Sequence, residues 1–276
     1  MTQGSTHMTE PVEVDIEKTE VQPAAAQSAS AFSQPILSAD FFINLESKKT
    51  RRKALGLRIG HYMSTITSWV VQGVAWPFFF VAYNGVFDLR ITGKRNLRGI
   101  KGPVLFISNH ISFYDSFIFD LFTPPFSGIP PYRFMGTSRF EAMYLKVLNM
   151  IGIVPLVYLF FGVFKVTNGQ GVEKALVPAY EIIQHGGTVC IFPEGRMWTK
   201  RKIEQTGMNI GPFKWVAAFL AKNTGVQVVP VALKKVGRGF RSKLIVNVGK
   251  PYFVDESKDP HDLAEEMRDK VLALHA

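Results

Sequence analysis

The eight residues SNHISFYD (108–115) hold the pairing with the most chemical potential in the chain. His110 and Asp115 have four residues between them. On a helix that interval turns the chain by about 500°, leaving the two side chains about 140° apart and on different faces. They can meet only if His110 precedes the helix and its ring folds back over the first turn toward Asp115. A pair so placed has a use: the carboxylate fixes one imidazole nitrogen, and hence the tautomer, while the other nitrogen accepts a proton. It would be the base half of a triad, with a substrate hydroxyl in place of the serine. The same residues admit a plainer reading. Ser112 and Asp115 match a capping box, so Asp115 could simply stabilise a helix end and His110 could be an ordinary loop residue. Taken alone, these residues favour the plainer reading.

A second group follows some 80 residues later, after the apolar run TVCIF (188–192). Pro193 stops the run, Glu194 puts a carboxylate at its end, and Gly195 lets the backbone approach a ligand closely. Arg196 adds a fixed cation suited to phosphate or carboxylate. By itself PEGR is also an ordinary polar turn with a surface Glu–Arg pair.

In combination the two groups are specific. Asn109, His110, Ser112 and Asp115 match an NHxSxxD block, and Phe192, Pro193, Glu194 and Gly195 match an FPEG block, in the right order and spacing. The chain thereby resembles the glycerolipid acyltransferase family of the 1-acylglycerol-3-phosphate acyltransferase type. VVPVAL, with Pro230 at its centre, resembles the family's apolar fourth block. The resemblance covers residues from about 90 to 250. It implies that His110 deprotonates a glycerol-type hydroxyl, that Asp115 orients and charge-stabilises His110, and that the hydroxyl attacks a thioester on acyl-CoA or acyl-carrier protein. Asn109 and the backbone near Gly195 would help hold the oxyanion, and Glu194 would position the acceptor. Ser112, Gly195 and Arg196 join the expected substrate-binding set. No metal or other cofactor is expected, because a thioester is already activated and the sequence has no His/Cys cluster with ligand spacing.

The chain departs from the family pattern in the parts that hold phosphate. The place of the second block's arginine, six residues after Gly152, holds Tyr158. The third block reads FPEGRM, with Arg196 directly after Gly195 rather than two places on, a variant that resembles the 2-acylglycerophosphoethanolamine branch. Arg139, Lys200, Arg201, Lys202 and Lys214 are the candidate replacements. The acceptor implied is a lysophospholipid such as 1-acylglycerol-3-phosphate, with another lipid alcohol or amine as the alternative.

Elements of the right kind surround these groups. Short apolar runs bounded by turn formers read as strands at 104–108, 132–136, 152–158, 188–192, 226–233 and 243–249. Helical patterns occupy 112–122, 138–149, 172–184, 212–223 and 260–275. Alternation of this kind predicts an α/β fold, a mainly parallel β-sheet flanked by helices, as in glycerol-3-phosphate acyltransferase-like proteins. Its strand ends carry both motif blocks, where α/β folds bind ligands.

The N-terminal part differs in character. Residues 1–37 read as a disordered leader rich in Ala, Gln, Ser, Glu and Thr, with no apolar periodicity. Residues 38–87 read as a membrane-associated helical segment and 88–276 as the acyltransferase domain. The first 47 residues carry seven acids and one base, a net charge of −6, which leaves +16 on the remainder. A basic cluster at 48–58 precedes residues 62–87, which contain no charged side chain. A helix of that length would span about 39 Å against a bilayer core of about 30 Å. Pro77 interrupts the run, and basic residues flank it on both sides, so a kinked or re-entrant hairpin with both ends cytoplasmic fits better than a simple crossing. The stretch 147–164 also lacks charge except for its neighbours, and reads as a buried strand followed by an apolar loop. The expected partners are membrane lipids and the acyl donor, with the site facing the cytoplasm. A nucleic-acid binder would rest on charge alone, and no motif for one is present. A non-enzymatic lipid-binding scaffold of the same fold would have no need of His110, Asp115 and Glu194.

Overall fold

The structure is a computed structural model that describes residues 51–100, 102–112, 115–123, 127–137, 143–166, 172–198, 200–237 and 239–276. The leader at 1–37 and Arg139 lie outside the described residues.

Branched and aromatic runs form the strands because their side chains fill a surface covered on both sides. β1 is Phe87–Thr92, β2 Val104–Ser108, β3 Tyr132–Thr137, β4 Val163–Val166, β5 Thr188–Ile191, β6 Gln227–Val236 and β7 Ser242–Val248. They form one sheet in the order β1-β7-β6-β2-β5-β3-β4. Every pairing is parallel except β6 with β7. The mainly parallel sheet anticipated from sequence is therefore present. All residues of β2 and β5 are buried, as befits parallel strands with helices on both faces. The chain passes from β2 to β3 over β5, and later from β5 to β6 over β2. The strand order thus reverses around β2, which opens a crevice at the carboxyl ends of β2 and β5.

On one face α2 (Asp115–Phe122) covers the sheet. Phe106 and Phe119 meet edge to face at 5.8 Å, and Phe122, Tyr132 and Phe134 complete the aromatic core. Aromatic pairs in this geometry add about 0.5–1.5 kcal/mol each beyond their buried area. On the other face lie α5 (Val172–Gln184), α7 (Val216–Thr224) and α8 (Pro260–His275). α8 begins where Asp259 accepts a hydrogen bond from the His261 N–H at 2.8 Å, with Pro260 in the first turn, and its ends match the sequence reading.

Two expectations are corrected. Residues 62–87 form no hairpin: α1 is a single helix, Arg51–Val86, that continues through Pro77. Pro77 removes only one backbone hydrogen bond, and packing against α2, β1 and α4 (Ile153–Phe160) holds the helix on course. Ser68, Gln72 and Tyr83 face inward and are buried. The Gln72 amide accepts from the Tyr132 N–H and donates to the Tyr132 carbonyl, both at 2.9 Å. It acts there as a neighbouring strand would, because β4 pairs with β3 only from Phe134 onward. The opposite stripe is apolar and open, with Val74 73% exposed and Phe78 and Val81 70%. By length and composition Thr65–Val86, of mean hydropathy 1.3, could cross a membrane.

The second correction concerns 152–158, which belongs to α4 rather than to a strand. Pro155 is the third residue of that helix, where an N–H has no intrahelical acceptor and its loss costs nothing. Gly152, with φ +85°, makes the left-handed turn from α3 (Met143–Met150). The edge strand comes later, at β4. A short, wholly apolar run fits a buried strand or a helix equally by pattern.

Asp120 of α2 is buried beside Tyr132 and Cys190, and burial pushes its carboxyl up to about 8. The folded chain therefore keeps this proton where the unfolded chain has released it, so the group weakens folding progressively as pH rises from about 3.8 to about 8. Thermal unfolding of the wild type should show Tm falling over pH 5 to 8 by more than in Asp120→Asn, whose amide does not titrate. Parallel Tm–pH curves for the two would contradict this assignment.

Candidate active site

At the end of β2 the chain leaves the sheet through Asn109. Its amide Oδ1 accepts from the Leu233 N–H and its Nδ2 donates to the Leu233 carbonyl, both at 2.8 Å. Asn109 is buried and ties the β2 exit to β6, so the structure assigns its amide to the scaffold rather than to an oxyanion. His110 follows, outside the helix, as the meeting of the pair requires. Its N–H donates to Glu194 Oε2 at 3.0 Å, and its carbonyl accepts from the Trp198 N–H at 2.7 Å. The peptide of His110 is thus gripped on both sides by the turn that follows β5.

The ring is fixed as firmly. His110 Nδ1 lies 2.8 Å from Asp115 Oδ2. The same oxygen accepts from the N–H groups of Ile111 at 2.6 Å and Ser112 at 2.8 Å, and Oδ1 accepts from Ser112 Oγ at 2.6 Å. Asp115, wholly buried, is the first residue of α2. Its oxygens collect four donors, so its bond to His110 requires the proton on Nδ1 and leaves the Nε2 lone pair free. The Phe192 ring stacks on the imidazole at 4.3 Å with 17° between planes. The His110 side chain is 20% exposed, enough to meet a substrate. The capping box and the His–Asp pair are therefore not rivals: one carboxylate caps the helix start and orients the base. Ser112 is used on Asp115 by both its N–H and its hydroxyl, and the structure places it among the groups that hold the carboxylate rather than on a ligand.

Glu194 is likewise bound to backbone. It is 4% exposed, and its second oxygen accepts from the Gly211 N–H at 2.8 Å. Burial raises its carboxyl, and the hydrogen bonds from His110 and Gly211 oppose that rise. Each oxygen accepts from a backbone N–H, so Glu194 holds the peptide of His110 and the loop at Gly211 together. Gly211 packs on the Trp198 ring, where a Cβ would come within 2.5 Å, and Arg268 of α8 binds the carbonyls of Gly211 at 3.0 Å and Ile210 at 2.9 Å. α8 on the far face thereby braces the loop that braces His110.

Gly195 takes a left-handed φ of +69°, which lets the turn close with its N–H on the Phe192 carbonyl at 3.0 Å. Arg196 is exposed beyond it. Lys200, Arg201 and Lys202, candidate phosphate holders by sequence, fall in a short helix, α6 (Lys200–Thr206). Tyr158 lies in α4 with its ring against Gly136 rather than at a strand end; the residues after β4, 167–171, lie outside the described residues. Sequence reasoning missed Phe192 as the stacking partner and Trp198, Gly211 and Leu233 as anchors. The last three act through backbone atoms, which carry no residue-type signal. Among the described residues no group of three or more His, Cys, Asp or Glu side chains converges as metal ligands would.

The chain is similar to known proteins. A family model described as Acyltransferase matches residues 88–234. A chloroplastic 1-acyl-sn-glycerol-3-phosphate acyltransferase of Brassica napus is 32% identical over 150 residues, covering 54% of this chain and 38% of its own. A probable 1-acyl-sn-glycerol-3-phosphate acyltransferase of Mycoplasma pneumoniae is 28% identical over 134 residues, covering 48% of this chain and 45% of its own. The chain thus spans less than half the length of these relatives. The crystal structure of the 1-acyl-sn-glycerophosphate acyltransferase of Thermotoga maritima aligns with a TM-score of 0.48 at 20% identity, over 85% of this chain and 88% of that one.

Glu194→Ala should leave two N–H groups without acceptors, at a cost of about 1–3 kcal/mol for each one that stays buried. The expected result is a lower Tm together with lost turnover, because His110 loses its backbone anchor. An unchanged Tm would show that Glu194 does not brace the site.

Proposed function

The chain belongs to the acyltransferase family, and from that premise we propose that it transfers a fatty acyl group from acyl-CoA or acyl-carrier protein to the hydroxyl of a lysophospholipid such as 1-acylglycerol-3-phosphate. The observation that carries this reading is the 2.8 Å contact of His110 Nδ1 with the buried Asp115 carboxylate, on a ring whose side chain is 20% exposed at the strand ends. Nε2 takes the proton of the acceptor hydroxyl as its oxygen attacks the thioester carbonyl carbon. The buried Asp115 carboxylate stabilises the imidazolium so formed. The tetrahedral intermediate then expels the thiolate, the carbon–sulfur bond breaks, and His110 returns the proton to sulfur. The products are an ester and a free thiol, and the base is regenerated.

The same reading puts the reaction at a membrane. α1 presents Ile66, Val70, Val74, Phe78 and Val81 outward, α4, against which it packs, adds Leu156, and α3 and the turn between α3 and α4 add Met143, Met150 and Ile151. Gln72 and Tyr83 bind α1 along the domain, which favours a helix lying in the bilayer surface over one that crosses it. Arg90, Lys94, Arg95 and Arg98 follow directly and suit anionic headgroups and a cytoplasmic face.

The test uses the full chain in detergent with labelled acyl-CoA and, separately, acyl-carrier protein, over a panel of lysolipid acceptors, beside His110→Ala. The wild type should transfer to at least one acceptor, and the variant should lose about 10²–10⁴-fold, the scale of a lost general base. Transfer by neither, or equal transfer by both, would overturn the reading.

A further inference from the structure

Arg133 is the second residue of β3 and pairs with Val189, the second residue of β5. It therefore lies at the amino ends of these strands, away from the end that carries His110. Its side chain runs over Gly162, which is buried just before β4. A Cβ on Gly162 would lie 2.9 Å from Arg133 Cδ and 3.0 Å from Ser68 Oγ of α1. The arginine and the serine thus converge on one spot beneath α1, one turn before the place where Gln72 binds the backbone of Tyr132. Arg133 Nε, Arg133 Nη1 and Ser68 Oγ are all buried, and none of the three atoms has a hydrogen-bond partner among the described residues.

A buried carboxylic acid or lysine escapes such a position by becoming neutral. A guanidinium cannot, because it stays protonated at any physiological pH. Burial lowers the pKa of Arg133, and no carboxylate among the described residues pairs with it to offset that cost. The group calls for an anion. A phosphate brings several acceptor oxygens, enough to serve the guanidinium and the neighbouring hydroxyl together. The surroundings indicate the source of that phosphate. Ile66, Trp69 and Val70 are exposed on α1 beside the buried Ser68, on the face placed against the bilayer above. A lipid reaching Arg133 from that side keeps its acyl chains along an apolar surface.

We propose that Arg133 and Ser68 form a binding site, separate from the catalytic site, for the phosphate of an anionic phospholipid that seats α1 on the sheet. The site does not depend on acyl transfer; only the choice of a lipid as the phosphate's source rests on the membrane reading above. The bound phosphate bridges α1 and β3, two elements that come apart on unfolding, so its binding free energy adds to the stability of the fold. Removing the charge has the opposite sign with and without lipid. In lipid, Arg133→Met loses the ligand. In neutral detergent it relieves a buried cation of its missing partner, so the variant is no less stable than the wild type.

The experiment titrates the full chain in neutral detergent with phosphatidylglycerol, with phosphatidylcholine or with inorganic phosphate at fixed ionic strength, and reads Tm. Phosphatidylglycerol should raise the Tm of the wild type, and the other two should raise it far less at the same concentration. The half-saturating phosphatidylglycerol concentration should rise about 10–100-fold in Arg133→Met and about 2–10-fold in Ser68→Ala, the scales of a lost charge-assisted and a lost neutral hydrogen bond. Arg133→Lys should fall between the wild type and Arg133→Met. His110→Ala should keep the wild-type response, which separates this site from the catalytic one whether or not the chain transfers acyl groups. An Arg133→Met variant that melts lower than the wild type without lipid, or does not fold, would show that the arginine is paired within the protein and overturn the proposal. An unchanged half-saturation would overturn it too, by placing the lipid on surface cations such as Lys94 and Arg95. Equal stabilisation by inorganic phosphate would overturn the assignment to a lipid.

Discussion

Four donors converge on the carboxylate of Asp115, and most of the site follows from that convergence. Three come from the loop between β2 and α2, and the fourth is the Nδ1 of His110. In a wholly buried position the carboxylate is tolerable only because every donor is supplied. The loop is thereby wound tightly at the start of α2, and the winding brings His110 back over the first turn. One interaction starts a helix, shapes a loop, chooses an imidazole tautomer and provides the negative charge that a protonated imidazole needs. The apparent choice between a helix cap and a catalytic pair dissolves because the same atoms perform both tasks.

The rest of the fold holds that convergence in place from three directions. Asn109 clips the exit of β2 to the backbone of β6. Glu194, at the end of β5, holds the peptide of His110 and the loop at Gly211. Arg268 reaches from α8 to fix that loop in turn. These anchors come from the strands on either side of β2, where the order of connection reverses and no crossover covers the strand ends. Parallel packing supplies the rigid floor, and the crevice supplies the access. Gly195 is needed because its backbone is left-handed, with φ +69°, and Gly211 because the Trp198 ring occupies the space beside it.

Much of this was legible in the sequence. The apolar runs of β2, β5, β6 and β7 and the capped α8 announced themselves by length, composition and punctuation. The spacing of His110 and Asp115 specified that the histidine must precede the helix, and it does. What stayed hidden depends on contacts between distant segments. The continuity of α1 past Pro77 is decided by packing on α2, α4 and β1, and the helical state of α4 by a turn at Gly152; neither leaves a distinct pattern in apolar residues. Asn109 and Glu194 looked like ligand-facing groups because a polar residue in a motif carries no sign of which way it faces. Their partners are backbone atoms of Leu233, His110 and Gly211, and any residue type can offer those.

The central claim is that Asp115 holds His110 with its proton on Nδ1 and its lone pair on Nε2. Nitrogen-15 NMR of the histidine rings at neutral pH, with His110 assigned by its disappearance in His110→Gln, reads this directly. The account predicts that His110 in the wild type is the Nδ1–H tautomer, with an unprotonated Nε2, and that Asp115→Ala loses this preference. An Nε2–H tautomer in the wild type, or a ring population unchanged by removing the carboxylate, would contradict it.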